Sequence, residues 1–173
     1  MLKIVDDLWG KVLAVLMGIA AVYVALIMIA IIYASAFRFF GIAYSQYTIP
    51  FIEYGFLFIL FLGSPWLVRN RGHVYIELLT AALNDRGRDI LSRIICFLAG
   101  LVCLIWAWYT WLLFLERYDD MMAYDELRAQ YDIPLWVSTL PFPIGFFLMM
   151  IEFFRFTVMS KPMHTGLAGI ASD

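Results

Sequence analysis

Four long stretches without Asp, Glu, Lys or Arg restrict this chain of 173 residues more than any other feature. They cover residues 12–37, 54–68, 94–115 and 133–151. A helix needs about 20 apolar residues to cross the hydrocarbon core of a bilayer. The second stretch reaches that length if its helix starts near Pro50 and carries Glu53 in its outer turn. Since a backbone in hydrocarbon must satisfy its own hydrogen bonds, we predict four membrane-spanning helices.

The composition agrees with lipid as the solvent, because 64% of the residues are hydrophobic and 15% are charged. A soluble domain has about 25% charged residues. The hydrophobic content excludes disorder, two cysteines exclude a disulfide scaffold, and 12 basic against 14 acidic residues argue against a nucleic-acid binder. We predict one all-α integral membrane domain over residues 1–173, with spans at about 12–37, 50–68, 90–115 and 133–154.

The basic residues outside the four uncharged stretches indicate the orientation, because cytoplasmic segments carry an excess of Lys and Arg. Nine of these residues lie in the N-terminus, the second loop and the C-terminus, and three lie in the other two loops. Both termini and the second loop are therefore predicted to be cytoplasmic.

The second loop contains a segment that is too short to span a membrane and too apolar for a solvated loop. The basic stretch that includes Arg69 and Arg71 ends the second span, and residues 73–83 follow with the sequence HVYIELLTAAL. We predict a cytoplasmic-side interfacial amphipathic helix at about residues 73–84, with Asn84 or Asp85 capping the next span. The alternative is that this segment only packs on neighbouring spans.

The search for catalytic, cofactor and metal sites finds no convincing candidate. Both histidines, His73 and His164, lie outside the spans, so paired axial ligands for a haem between membrane helices are excluded. His73 and Glu77 are spaced i, i+4, but two ligands of different type do not make a metal site, and a polar pair at headgroup depth is the simpler interpretation. The sequence has neither a Gly-rich phosphate loop nor a nucleophile elbow. We expect a chain that is not an enzyme and binds no cofactor itself.

Charged residues at the ends of the spans are the remaining signal, because an ionisable group is costly inside a bilayer. Arg38 closes the first span and Glu53 opens the second, both on the outer side. They would pair with each other, engage a partner subunit, or reach the interface separately. Glu152 and Arg155, spaced i, i+3 at the inner end of the fourth span, are expected to form a local interfacial pair.

Three functions are compatible with these features. Spans with few polar residues favour a scaffold that binds other membrane helices. A stand-alone proton-coupled transporter would have to use Glu53, although this residue lies near an interface rather than at the centre of a span. An anchor subunit for an enzyme or redox complex is the third possibility, and the lack of histidines in the spans weakens it.

The order of residues along the chain shows a family resemblance. The first loop and second span contain Arg38-Phe39-Phe40, Glu53 and Gly63, and residues 69–79 have the sequence RNRGHVYIELL. The fourth span contains IPLW at residues 133–136, followed by Leu140-Pro141 and Gly145-Phe146. This order resembles the small membrane (Q, or DctQ-type) subunit of tripartite ATP-independent periplasmic (TRAP) transporters, over about residues 12–156. It departs from the family at Glu77, where Asp is more usual, at Ile52, where a second acid is common, and in lacking a Trp midway through span two.

The resemblance implies a multi-pass protein of the bacterial inner membrane that scaffolds and anchors a large (M-type) transport subunit. The large subunit would carry the substrate and sodium, and a periplasmic substrate-binding protein would dock on the outer face, on or near the side of Arg38. The family imports mainly organic acids. Arg69, Arg71, His73 and Glu77 would belong to the interfacial arm and cytoplasmic anchor, in contact with membrane lipids.

Overall fold

The computed structural model describes residues 2–72, 84–120 and 133–159, and the regular elements in these ranges are α-helices. They are α1 (Leu2–Phe39), α2 (Thr48–Arg69), α3 (Asp85–Asp119), α4 (Leu135–Thr139) and α5 (Pro141–Val158). Four helical segments are long and apolar enough to cross a membrane, with α4 and α5 together forming the last. The prediction of four membrane helices is confirmed. The predicted interfacial helix lies outside the described residues.

The helices extend beyond the predicted spans, because a helix need not stop where the hydrocarbon stops. α1 has 38 residues and is about 57 Å long at about 1.5 Å per residue, whereas the hydrocarbon core is about 30 Å thick. α3 has 35 residues and begins at Asp85, where the side chain of Asn84 accepts a hydrogen bond of 2.9 Å from the N–H of Gly87. Of the two predicted caps, Asn84 and Asp85, the structure shows Asn84.

The first two helices end in the same type of turn. At the end of α1, the N–H of Ile42 donates to the carbonyl of Phe37, and Gly41 adopts a left-handed φ of 66°. At the end of α2, the N–H of Gly72 donates to the carbonyl of Leu67 at 2.8 Å, but here the left-handed position, with φ of 56°, is occupied by Arg71. Glycine is the usual residue in this position, and a residue with a Cβ costs about 1–2 kcal/mol more.

Prolines interrupt the helices near their packing contacts. Pro141 lacks the N–H that would bond back into α4, so the fourth span divides at Leu140. Pro65 inside α2 likewise leaves the carbonyl of Phe61 without its helical donor. α5 approaches α2 closely at this point, since a Cβ placed on Gly145 would lie 2.8 Å from that carbonyl oxygen.

The helices pack in the order α1, α2, α5, α3, so that each inner helix has two extensive neighbours. A small apolar core joins α2, α3 and α5. Its buried members are Phe61, Val68, Cys96, Cys103, Met149 and Phe156. α4 packs on α3, where the ring of Trp136 lies edge-on to those of Phe114 and Tyr118.

This row leaves broad apolar surfaces facing outward. In the most apolar 18-residue segment of α1, 11% of the residues are buried inside the chain, whereas 39% are buried in the corresponding segment of α2. Val15, Val22 and Ile29, spaced seven residues apart on α1, are 61–63% exposed. An open apolar groove of about 350 Å³ lies between α3 and α5, and both Trp108 and Trp111 line it, since their i, i+3 spacing places them on one face of α3. Such surfaces suit lipid or other membrane helices rather than water.

Candidate functional site

A cluster of charged side chains joins three helices at one end of the row. Asp6 and Trp9 come from the first turns of α1, Arg69 is the last residue of α2, and Glu152 and Arg155 lie near the end of α5. α1 runs antiparallel to α2, whereas α2 and α5 run parallel, so the N-terminal end of α1 meets the C-terminal ends of α2 and α5. We call this group of five residues the ion cluster.

Glu152 is at the centre of the ion cluster and is fully buried. Its Oε1 accepts hydrogen bonds from the indole Nε1 of Trp9 at 2.7 Å and from Nη1 of Arg69 at 3.1 Å. Its Oε2 accepts a hydrogen bond from Nη1 of Arg155 at 2.7 Å. Burying a carboxylate is costly unless it is paired and hydrogen-bonded, and here both oxygens have charged donors.

The two arginines also hold a second carboxylate, that of Asp6. Nη2 of Arg69 lies 3.1 Å and Nε of Arg155 lies 3.0 Å from Oδ1 of Asp6. Nη2 of Arg69 also donates to the backbone carbonyl of Asp6 at 2.9 Å. Two guanidinium groups and two carboxylates therefore alternate, and the formal charge of the ion cluster is zero.

The backbone of α1 makes room for this arrangement at Gly10. A Cβ placed there would lie 3.0 Å from Nη2 and 3.2 Å from Cζ of Arg69. The glycine lets the guanidinium lie against the first turns of α1, where it reaches both Asp6 and Glu152. The positions of the charges also suit the helix dipoles, with an acid in the early turns of α1 and arginines in the last turns of α2 and α5.

A second arginine contact fastens α3 to the same end. Arg93 pairs with Asp89 at 3.2 Å, and its Nη1 donates to the backbone carbonyl of Thr157 in the last turn of α5 at 2.9 Å. All four membrane-spanning segments are thus tied at one end by arginine side chains. These contacts can hold helices in register; they show no open coordination position and no exposed nucleophile.

Arg71 lies next to the ion cluster without belonging to it. Its guanidinium carbon is 5.9 Å from the centroid of the Phe156 ring, and that of Arg155 is 5.6 Å from the same centroid. Phe156 is 3% exposed. Both guanidinium groups therefore lie within cation–π distance of the Phe156 ring, and that of Arg155 is also held by carboxylates.

The predicted site residues fall into three groups. Arg69 ends α2 and joins the ion cluster, and Arg71 follows it in the left-handed turn. Arg38 in the last turn of α1 and Glu53 near the start of α2 are both exposed at the opposite end of the row. Their mutual pairing stays a prediction. His73 and Glu77 lie outside the described residues.

Sequence reasoning predicted the pair of Glu152 with Arg155 correctly but did not predict its burial. The i, i+3 spacing indicates the local contact, which the structure confirms at 2.7 Å. Sequence reasoning did not predict the contacts of Asp6 and Trp9 with this site. The available signal was a carboxylate directly after the last uncharged stretch, residues 133–151, together with an arginine ending another span, since buried charges require partners.

Groups of three or more His, Cys, Asp or Glu side chains with metal-binding geometry do not occur among the described residues. Cys96 and Cys103 are buried free thiols in α3.

Comparison with known proteins places this fold in a family. Residues 27–159 match the family described as "Tripartite ATP-independent periplasmic transporters, DctQ component". Neither the curated proteins nor the solved structures compared gave a match. The matched region covers most of the chain and runs from the middle of α1 to the end of α5. The chain belongs to the DctQ family, the small membrane component of tripartite ATP-independent periplasmic transporters.

Proposed function

We propose that this chain is the non-catalytic scaffold subunit of a sodium-driven, binding-protein-dependent transporter that imports organic acids. The observation that carries the scaffold role is the row of helices, which is fastened by the ion cluster at one end and has broad apolar surfaces along its length. A row of helices with outward-facing apolar surfaces can pack against the helices of another membrane protein. Sodium and substrate are then expected on the large subunit.

The orientation belongs to the same proposal. The end with the ion cluster carries most of the basic residues and faces the cytoplasm by the positive-inside rule. The opposite end, with Arg38 and the exposed rings of Phe39 and Phe40, then faces the periplasm. A substrate-binding protein would dock there together with the large subunit.

The first test is a mild-detergent pull-down of the chain from its native membrane. Recovery of a many-span permease in equal amount supports the scaffold role. Recovery of this chain alone contradicts it and favours a stand-alone transporter, for which purified chain in vesicles and its Glu53→Gln variant would be assayed. Recovery of an enzyme or redox complex instead would favour the anchor function.

A Gly18→Leu variant would locate the interface. A Cβ on Gly18 meets no atom within 4 Å, so the larger side chain leaves the contacts within this chain intact. Reduced recovery of the permease with normal amounts of this chain would assign the exposed face of α1 to the large subunit. Unchanged recovery would assign the interface to another helix of the row.

The docking role of Arg38 is tested separately by substrate uptake in cells. Arg38→Glu reverses the charge at an exposed position in the last turn of α1. We expect reduced uptake with normal assembly of the two membrane subunits. Unchanged uptake would contradict the docking role and leave the scaffold role in place.

A further inference from the structure

Arg71 occupies a backbone position that does not favour its side chain. The turn after α2 needs a left-handed residue, and φ at Arg71 is 56°. Glycine fits such a position without strain, and glycine stands one residue later, at Gly72. A backbone conformation that costs an arginine more than a glycine points to a role for its side chain at this position.

The depth of Arg71 in the membrane follows from the length of α2. The 22 residues Thr48–Arg69 span about 33 Å, which is close to the hydrocarbon thickness of about 30 Å. Arg71 follows two residues after the end of this helix, so it lies at the level of the lipid phosphates. The buried ring of Phe156 supports the guanidinium from the apolar side at 5.9 Å.

The charge around Arg71 is not cancelled by the neighbouring ion cluster. Asp6 and Glu152 are already held by Arg69 and Arg155, and the ion cluster has no net formal charge. At this end of the row, residues 2–11, 69–72, 84–93 and 152–159 contain eight basic and five acidic residues. The net formal charge of these four ranges is therefore positive.

We propose that Arg71 binds the phosphate of an anionic phospholipid, with the Phe156 ring and the neutral ion cluster fixing the guanidinium at the membrane surface. Guanidinium groups bind phosphate oxygens with paired N–H donors, and basic residues at a membrane surface favour anionic over zwitterionic lipids. The lipid would hold the end of α2 against the leaflet. This inference does not depend on the transport function, because it concerns only this chain and lipid.

The test is native mass spectrometry of the full chain in detergent, titrated with phosphatidylglycerol or phosphatidylcholine. We expect wild type to bind phosphatidylglycerol at least fivefold more tightly than phosphatidylcholine. Arg71→Gly should lose most of this preference, while its melting temperature in lipid-free detergent stays equal or rises, because glycine favours the positive φ. Arg71→Lys should retain part of the preference.

Arg38→Gln is the matched control, because it removes an exposed arginine from the opposite end of the row and should leave phosphatidylglycerol binding at this end unchanged. Inorganic phosphate at millimolar concentration should not displace the lipid; displacement would show a site for free phosphate and contradict the lipid assignment. Equal phosphatidylglycerol binding by wild type and Arg71→Gly would overturn the proposal. So would equal binding of the two lipids by wild type.

Discussion

Among single residues, Glu152 receives donors from three different helices. Trp9 of α1, Arg69 of α2 and Arg155 of α5 all bond to its carboxylate, which is fully buried. Removing one member of a buried ion pair leaves an uncompensated charge, which costs more than the pair contributes when intact. The loss of stability on substitution at this site should therefore depend on the charge left unbalanced rather than on the number of hydrogen bonds removed.

We expect Glu152→Gln to lower the free energy of unfolding by about 3 kcal/mol, the lower end of the range for broken buried pairs, because Arg69 and Arg155 keep partial contact with water. Glutamine keeps the size of the side chain and an acceptor for the Trp9 indole. Equilibrium unfolding in mixed micelles would measure the change.

Asp89→Asn is the control for this prediction. The Asp89 side chain in the Asp89–Arg93 pair is more than one-third exposed, so this substitution should change the free energy of unfolding by less than about 1 kcal/mol.

Combining Glu152→Gln with Arg69→Gln should lower the free energy of unfolding by less than the sum of the two single changes, because the second substitution removes an uncompensated cation. Strictly additive losses would show that the carboxylate and guanidinium do not act as a pair.

The sequence predicts only the local part of this site. The spacing of Glu152 and Arg155 within one helix suffices for their contact, since i and i+3 share a face. Arg69 is 83 positions away and Trp9 is 143 positions away. Which helices become neighbours in a row is decided by packing in three dimensions, and hydrophobicity along one chain carries no information about that choice.

At the scale of elements, helix existence was predictable and helix ends were not. Uncharged stretches of about 20 residues identify membrane helices because the hydrocarbon requires them. α1, however, begins at Leu2 and passes through Asp6, Asp7 and Lys11, which mark the edge of the hydrocarbon but do not disrupt helical hydrogen bonding. Where side chains such as Asn84 specify a helix start directly, the prediction is correct.

The contact between α2 and α5 depends on Gly145, and we expect Gly145→Ala to destabilise the chain by about 1–3 kcal/mol. The added Cβ would lie 2.5 Å from Cδ1 and 2.8 Å from the backbone oxygen of Phe61, so α5 must move away from α2. Unfolding in mixed micelles would measure the loss.

Gly18→Ala supplies the control, because a Cβ at Gly18 meets no atom within 4 Å. It should leave the stability unchanged or raise it slightly, since alanine is the better helix former. Equal stability of the two alanine variants would mean that α2 and α5 are not closely packed at Gly145.

At the scale of the whole molecule, the row has two ends of different character. One end holds the ion cluster, and the other presents Arg38 beside the exposed rings of Phe39 and Phe40, which are 84% and 71% exposed. The proposed orientation assigns the first end to the cytoplasm and the second to the periplasm. The buried ion pairs and the exposed aromatic rings thus lie at opposite ends of the row.

Labelling with a membrane-impermeant maleimide tests this orientation. Ser45→Cys, in the connection between α1 and α2, should react in intact cells once the outer membrane is permeable. Asn84→Cys, at the start of α3, should react only after the inner membrane is opened. The native Cys96 and Cys103 are buried and supply the background. The reverse labelling pattern would contradict the orientation.

The ion cluster also determines when the fold can be completed during biosynthesis. Asp6 and Arg69 leave the ribosome long before Glu152, which is 83 residues beyond Arg69. At about 5–20 residues per second, this interval lasts several seconds. During that time α1 and α2 can form a hairpin through the Asp6–Arg69 pair, but they lack the carboxylate that accepts hydrogen bonds from Arg69 and from the Trp9 indole. Insertion of the last helix is therefore the step that completes the side-chain contacts of α1 and α2. We expect a chain truncated before Glu152 to enter the membrane without completing its native helix packing.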